Sequence, residues 1–159
     1  MKPFWSMALG LTLCALVSPR AEAGQWLGPP QGQGHVLRPA DFDQLLAANP
    51  LGREENIKVV PLFRNERSSS ILVQVRDREP LHRHSDSDIT VFMLRGAGDM
   101  RLDKETRPVK AGDVIHIERG AIHAYLNRGV EPAAALVVYS PAPGPKDRIL
   151  VEEKNLPSG

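Results

Sequence analysis

Residues 112–127 of the chain read GDVIHIERGAIHAYLN. Apolar and polar residues alternate over Val114–Ile117, and His123–Asn127 forms a second short run of the kind found in half-buried β-strands. The Arg119-Gly120 pair between the two runs indicates a tight turn, since glycine reaches backbone conformations that other residues avoid. This stretch therefore predicts two short strands joined by a turn, with a histidine at the start of the second strand.

Two further histidines lie upstream, in the stretch EPLHRHSDSDITVFMLRG at residues 79–96. Residues i and i+2 of a strand point to the same face, so His82 and His84 direct both imidazoles to one side and Arg83 faces the other. Two imidazoles on one face form a chelating pair that suits zinc, copper, iron or nickel. Such a pair needs a third ligand from elsewhere in the chain.

Together the two stretches resemble the motifs of the cupin family. The second cupin motif, G-x5-P-x-G-x2-H-x3-N, is matched at Gly112, Gly120, His123 and Asn127, with Glu118 where proline is usual. The first motif, H-x-H followed by a glutamate and then a glycine, is matched at His82, His84 and Gly96. Arg76 replaces the glycine that usually precedes the first motif histidine by six residues. The resemblance covers about residues 57–140.

The resemblance implies a jelly-roll β-barrel in which His82, His84 and His123 bind one divalent transition metal: iron, manganese, copper, nickel or zinc. A glutamate commonly completes such a site, but Ile89 stands at its position here, and Asp88 is the nearest carboxylate. Asp88 is our candidate fourth ligand, and it needs a one-residue bulge or a shift of the strand start to face inward. Alternatively, water completes the site and Asp88 caps the loop with its neighbours.

The composition of the whole chain agrees with one β-rich domain. Its 159 residues are 42% hydrophobic and 25% charged, with 14 prolines and 13 glycines that favour turns between short elements. Residues 39–56 predict a short helix and a connection, and residues 57–155 predict the barrel. Eight runs predict strands: Ile57–Phe63, Ser70–Arg76, Ile89–Leu94, Asp99–Leu102, Val114–Ile117, His123–Asn127, Ala134–Tyr139 and Ile149–Val151. The fold class is all-β, a single cupin-type jelly roll with one short N-terminal helix.

The first 23 residues predict a secretory signal peptide, because Lys2 precedes an apolar run that leads to Ala21-Glu22-Ala23, a small-x-small cleavage site. An uncleaved membrane anchor is the alternative, although the apolar run is shorter than the roughly 20 residues a bilayer needs. Residues 24–38 predict a flexible leader. The mature chain is then exported to the periplasm or secreted, and it contains no cysteine because Cys14 is removed.

Cleavage removes Lys2, Arg20 and Glu22, which leaves 18 basic and 18 acidic residues from the original 20 and 19. No basic stripe indicates nucleic-acid binding, and no later segment is apolar enough to span a membrane. We therefore expect a small-molecule ligand or substrate. A homodimer would use an edge strand, either Ile57–Phe63 or Ile71–Val75. Deletion of the C-terminal strand at Ile149–Val151 is expected to destabilise the barrel without affecting the metal ligands.

Three residues receive structural interpretations. His116 alternates with inward-facing isoleucines, so it is placed on the outer face of its strand. Asn127 is expected to stabilise the turn at Arg128-Gly129. Tyr125 shares a strand face with His123 and is expected to line the cavity.

Three functions remain open at this point, because one scaffold can host many activities. The first is an oxygenase-like metal-dependent enzyme that acts on a small oxygenated compound. The second is a non-catalytic module that binds a small molecule or a metal. The third is a sugar isomerase or epimerase, which would need lysine, arginine or tyrosine groups to hold phosphate or a nucleotide.

Overall fold

The computed structural model describes residues 36–153. The predicted signal peptide, Cys14 within it, and the leader as far as residue 35 lie outside the described residues, so these predictions remain untested. Within the described part, no helical segment combines the length and the apolar character that crossing a bilayer requires.

One α-helix and ten β-strands make up the described part of the chain. They are α1 (Pro39–Ala48), β1 (Ile57–Arg64), β2 (Ser69–Val75), β3 (Arg78–His84), β4 (Asp88–Arg95), β5 (Ala97–Leu102), β6 (Glu105–Lys110), β7 (Val114–Ile117), β8 (His123–Asn127), β9 (Ala133–Ser140) and β10 (Arg148–Leu150). The strands form two antiparallel five-stranded sheets, in the orders β1-β2-β9-β4-β7 and β10-β3-β8-β5-β6. The all-β jelly-roll prediction, with one short N-terminal helix, is confirmed.

Two of the ten strands, β3 and β6, were not among the eight predicted runs. Strand β6 contains Pro108, has five exposed residues out of six, and pairs only with β5, so it lacks the apolar alternation that a sequence search detects. Strand β3 begins Arg78-Glu79-Pro80, and its interior positions are occupied by histidines rather than aliphatic residues.

The core divides between the two faces of the β1-containing sheet. Inward-facing residues of both sheets pack together, with Val91 and Met93 of β4 against Met100 of β5 and Tyr125 of β8. On the opposite face, Leu46 of α1 packs with Val60, Leu62, Leu72 and Ala134. The helix therefore covers the outside of the β1-β2-β9 part of the sheet, and the interior between the sheets is left for the histidines.

Candidate metal centre

The three predicted histidine ligands converge between the sheets. His82 and His84 occupy alternate positions of β3, and His82 pairs in register with His123, the first residue of β8. The ring centroids of His82 lie 5.1 Å from His84 and 4.1 Å from His123, and those of His84 and His123 lie 5.5 Å apart. One nitrogen atom from each ring lies within 4.8 Å of the other two. The histidines are 1%, 4% and 3% exposed, and Arg83 faces outward as predicted.

Each ring is held through its Nδ1 atom. The Nδ1–H groups of His82 and His123 donate to the backbone carbonyls of Pro80 and Ala121, at 2.8 and 3.0 Å. That of His84 donates to the Asp147 carboxylate at 2.6 Å. A proton on Nδ1 leaves Nε2 unprotonated, which is the form in which imidazole binds a metal. The Nε2 atom of His123 is buried and has no hydrogen-bond partner within the protein, as expected of an atom that binds a metal ion.

Burial keeps His82 and His123 neutral. Burial first, and then the positive charge of neighbouring groups, lowers the pKa of each of these two residues to about 4. Both rings are therefore unprotonated at neutral pH, and neutral imidazole nitrogens are donors that fit a divalent transition metal.

These shifts predict how the metal-free protein responds to acid. In the unfolded chain histidine takes up a proton near pH 6.5, whereas His82 and His123 of the folded chain stay neutral down to about pH 4. Acidification between these values therefore favours the unfolded state, and chelator-treated protein should lose roughly a few kcal/mol of stability between pH 7.5 and 5. Urea unfolding at both pH values measures this. A His82→Ala/His123→Ala variant should show a much smaller loss, and equal losses in both proteins would contradict the prediction.

A carboxylate that was not predicted from the sequence accepts a hydrogen bond from one of the triad histidines. Asp147 is 1% exposed and lies directly before β10, which pairs with β3 so that Arg148 stands opposite His84. While one oxygen of Asp147 accepts from His84, the other accepts from the backbone N–H groups of Asp86 and Ser87, at 2.6 and 3.1 Å. The residue just before the C-terminal strand thus positions a triad histidine, and the effect of deleting that strand on the ligands stays a prediction.

Asp88, the predicted fourth ligand, is not brought to the triad. Its carboxylate accepts hydrogen bonds from the backbone N–H, Nε and Nη2 of Arg119, at 2.9, 3.1 and 3.1 Å. Hydrogen bonding to Arg119 lowers its pKa. Strand β4 begins at Asp88, one residue before the predicted start, but it pairs regularly there, and its register shift falls between Met93 and Arg95. Ile89 consequently faces inward and lines the cavity.

Glu79 is the carboxylate that does lie beside the triad. Its Oε1 atom is 3.6 Å from Nε2 of His82, and its side chain is 26% exposed. The register explains this placement: Glu79 pairs with Tyr125 and His82 with His123, so three steps along β3 oppose two along β8. This bulge, which contains Pro80, turns Glu79 to the same side as His82. Burial raises the pKa of Glu79, and the nearby His123 opposes that rise.

The histidines and Glu79 border a cavity of about 60 Å³ whose other walls are mostly aliphatic. Tyr125 lines it as predicted, and its buried hydroxyl has no hydrogen-bond partner. Tyr139 packs edge-on against His84, with centroids 5.3 Å apart, and burial raises its pKa to about 12. Among the described residues that line this cavity there is no lysine or arginine.

The remaining interpretations are confirmed. His116 is exposed on the outer face of β7 and lies 3.3 Å from the Thr90 hydroxyl. The Asn127 side chain donates to the carbonyls of Arg76 and Glu131 and accepts from the N–H of Gly129, so it stabilises the turn.

Comparison with known proteins also indicates a cupin domain. A profile described as Cupin domain matches residues 70–139. An uncharacterized protein of Aquifex aeolicus (strain VF5) is 35% identical over 112 residues, which cover 70% of this chain and 91% of that protein. The structure of TT1209 from Thermus thermophilus is 27% identical, with a TM-score of 0.57 and coverage of 65% of this chain and 96% of that chain.

A further structure, of Pac13, is described as that of a unique nucleoside dehydratase. It is 18% identical, with a TM-score of 0.53 and coverage of 65% of this chain and 87% of that chain. A single-residue variant of Pac13, which comes from Streptomyces, has also been solved with uridine. At this identity the likeness shows the shared fold alone.

The two facing sheets and the buried histidine triad define a β-sandwich protein with a site suited to one transition-metal ion. The chain belongs to the cupin superfamily.

Proposed function

We propose that this cupin is an exported protein that binds one divalent transition-metal ion through His82, His84 and His123 and acts as an oxygenase-like enzyme on a small oxygenated compound. The observation that carries the proposal is the convergence of three buried imidazoles, each oriented through Nδ1, with the Nε2 of His123 left without a partner. Bound there, an ion supplies Lewis acidity and, if it is iron or copper, redox chemistry with dioxygen.

The chain's own residues define the environment of the reaction. Aliphatic side chains such as Val91, Met93 and Val137 surround the cavity and exclude water. Tyr139 stays protonated at neutral pH because its pKa is raised to about 12, so its hydroxyl can donate a hydrogen bond to an oxygen atom of a substrate.

The lining also selects the class of substrate. A site for a phosphate or a nucleoside diphosphate uses lysine or arginine to bind the negative charge. Neither residue is found among the described lining residues. The cavity instead suits a small, largely apolar molecule with one or two oxygen atoms. The lack of lysine and arginine among these lining residues disfavours the sugar isomerase or epimerase hypothesis.

Oxygen uptake tests the enzymatic part of the proposal. Protein loaded with iron or copper is incubated with a panel of small phenols, enols and diketones while dissolved oxygen is recorded. We expect compound-dependent uptake that is absent from the His123→Ala variant and from free metal at the same concentration. If no compound on a broad panel increases uptake above these controls, the oxygenase assignment fails.

A non-catalytic binding module is the second candidate, and the small volume of the cavity favours it. The same panel separates the two functions. A compound that binds saturably in calorimetry to metal-loaded protein, without oxygen uptake or any product in mass spectrometry, would assign the chain to this class.

Export is proposed from the sequence of residues 1–23, with cleavage after Ala23 and residence in the periplasm or outside the cell. Intact-mass measurement of the full-length chain expressed in a bacterium tests it. A periplasmic product that begins at Gly24 is expected, whereas an uncleaved chain in the cytoplasm or membrane would contradict the proposal.

We also propose a homodimer formed through β1. This strand is an edge of its sheet, and it exposes Val59 at 51% and Phe63 at 46%. Antiparallel pairing with β1 of a second copy would satisfy the free backbone groups of both edges and cover these side chains. The alternative edge, Ile71–Val75, lies in β2, which is paired on both sides with β1 and β9.

Val59→Lys should therefore convert the dimer into a monomer, because the new charge would be buried at the interface. Light scattering coupled to size-exclusion chromatography measures the mass of each protein. Val130→Lys is the matched control, since Val130 is 99% exposed in a loop and its replacement should leave the dimer intact. A monomeric wild-type chain, or a dimeric Val59→Lys variant, would overturn the proposal.

A further inference from the structure

Charge balance at the triad raises the question of which group compensates a bound cation. Three neutral imidazoles bring no negative charge, and the carboxylate of Asp147 behind His84 balances at most one of the two charges of the ion. An uncompensated charge in a mostly aliphatic cavity is costly, so buried ions are normally paired with a carboxylate or another anion. Of the described residues that line this cavity, Glu79 is the one that carries a carboxylate.

We propose that Glu79 is the fourth ligand of the metal site, contributed by the bulge of β3 in place of the β4 position that Ile89 occupies. This inference rests on the proposed metal binding and extends it. The Glu79 Oε1 atom is 3.6 Å from Nε2 of His82. Two ligand atoms that each lie about 2.1 Å from one ion, at a tetrahedral angle, are separated by about 3.4 Å. The distance between Glu79 and His82 is thus close to the separation of two ligands of one ion. The carboxylate does not lie within 4.8 Å of all three histidines, so it must turn toward the ion to bind it.

The bulge makes this arrangement possible. Without it, residues three apart on a strand would face opposite sides, and Glu79 would point away from His82. With it, Glu79 and His82 stand opposite Tyr125 and His123, two residues that share the inward face of β8. Pro80 suits the interior of the bulge because it has no N–H group to contribute to the ladder.

Arg148 of β10 competes with the ion for Glu79. Its Nη2 atom lies 3.6 Å from the same Oε1 atom, and its side chain is 41% exposed. A guanidinium that is already partly exposed can turn fully into solvent at little cost when the carboxylate turns to the ion. We therefore expect replacement of Glu79 and replacement of Arg148 to change the metal affinity in opposite directions.

Titration with Co²⁺ tests the assignment, with binding followed both by competition against a chelator and by the visible d–d absorption of the ion. Glu79→Gln keeps the shape of the side chain and removes its charge. We expect it to weaken Co²⁺ binding at least about 10- to 100-fold, the range found when outer-sphere partners are lost. The visible absorption spectrum of Co²⁺ bound to this variant should also change, because an amide replaces the carboxylate donor. Arg148→Gln should bind Co²⁺ as tightly as wild type or more tightly.

The matched control is Asp88→Asn, which removes a carboxylate that is held by Arg119 and lies apart from the triad. It should leave both affinity and spectrum unchanged. If Glu79→Gln keeps the wild-type spectrum while His82→Ala loses the ion, Glu79 is not a ligand and the histidine site stands. If wild-type protein binds no Co²⁺, the proposed function and this assignment fail together. Thermal unfolding of each metal-free variant identifies any loss of folding.

Discussion

Replacement of any one triad histidine by alanine should abolish tight metal binding. His82→Ala, His84→Ala and His123→Ala each remove one of the three nitrogen donors that lie within 4.8 Å of one another. Loss of an outer-sphere partner alone typically weakens metal affinity 10- to 100-fold, so loss of a ligand should weaken it by more than about 100-fold. Chelator-competition titrations with zinc or cobalt measure the effect.

His116→Ala provides the control for this series. His116 is exposed on the outer face of β7, so its removal should leave the affinity and the stoichiometry of the metal unchanged. An affinity that falls equally in His116→Ala and in the triad variants would indicate adventitious binding by surface histidines. Retention of wild-type affinity in any triad variant would remove that residue from the site.

Asp147→Asn is the second change expected to have a large effect, although this residue does not face the cavity. The carboxylate accepts from Nδ1–H of His84 through one oxygen and from the Asp86 and Ser87 N–H groups through the other. Asparagine has a single oxygen. If that oxygen keeps the two backbone donors, the amide N–H₂ group faces Nδ1 of His84 and favours the tautomer protonated on Nε2, which cannot bind a metal.

We expect Asp147→Asn to lower metal affinity about 10- to 100-fold and to cost about 1–3 kcal/mol of stability, because buried hydrogen bonds are lost. Cobalt titration and urea unfolding of the metal-free protein measure the two effects. Asp86→Asn is the matched control, since Asp86 is exposed and its backbone N–H still donates to Asp147. Wild-type cobalt affinity in Asp147→Asn would show that Asp147 does not position His84.

The pair His82 and His84 could be predicted from the sequence because its geometry is local, and His123 was added through the resemblance to the cupin motifs. The spacing of His82 and His84 fixes their common face, and His123 follows a recognisable turn at Gly120. Glycine at position 120 has a φ of 84°, a conformation that other residues adopt at a cost, so the turn leaves a clear signal in the sequence. The convergence of His123 with the pair, in contrast, requires β3 to pair with β8, and only the motif resemblance predicted it.

The two carboxylates near the triad depend on pairing and register, and the sequence did not reveal them. Asp147 reaches His84 across 63 residues of sequence only because β10 pairs with β3. Glu79 faces the cavity only because of a bulge, and Pro80 was its one visible sign. Asp88 was chosen because it is close to the histidines in sequence. Regular alternation in β4 instead directs Ile89 inward, and the Asp88 carboxylate accepts hydrogen bonds from Arg119.

X-ray absorption spectroscopy of residues 24–159 loaded with zinc or copper tests the central claim most directly, because it counts the imidazoles around the metal. One equivalent of metal with three imidazole ligands is the result we predict from His82, His84 and His123. A metal bound by one imidazole or none, or protein that takes up far less than one equivalent, would contradict the histidine site.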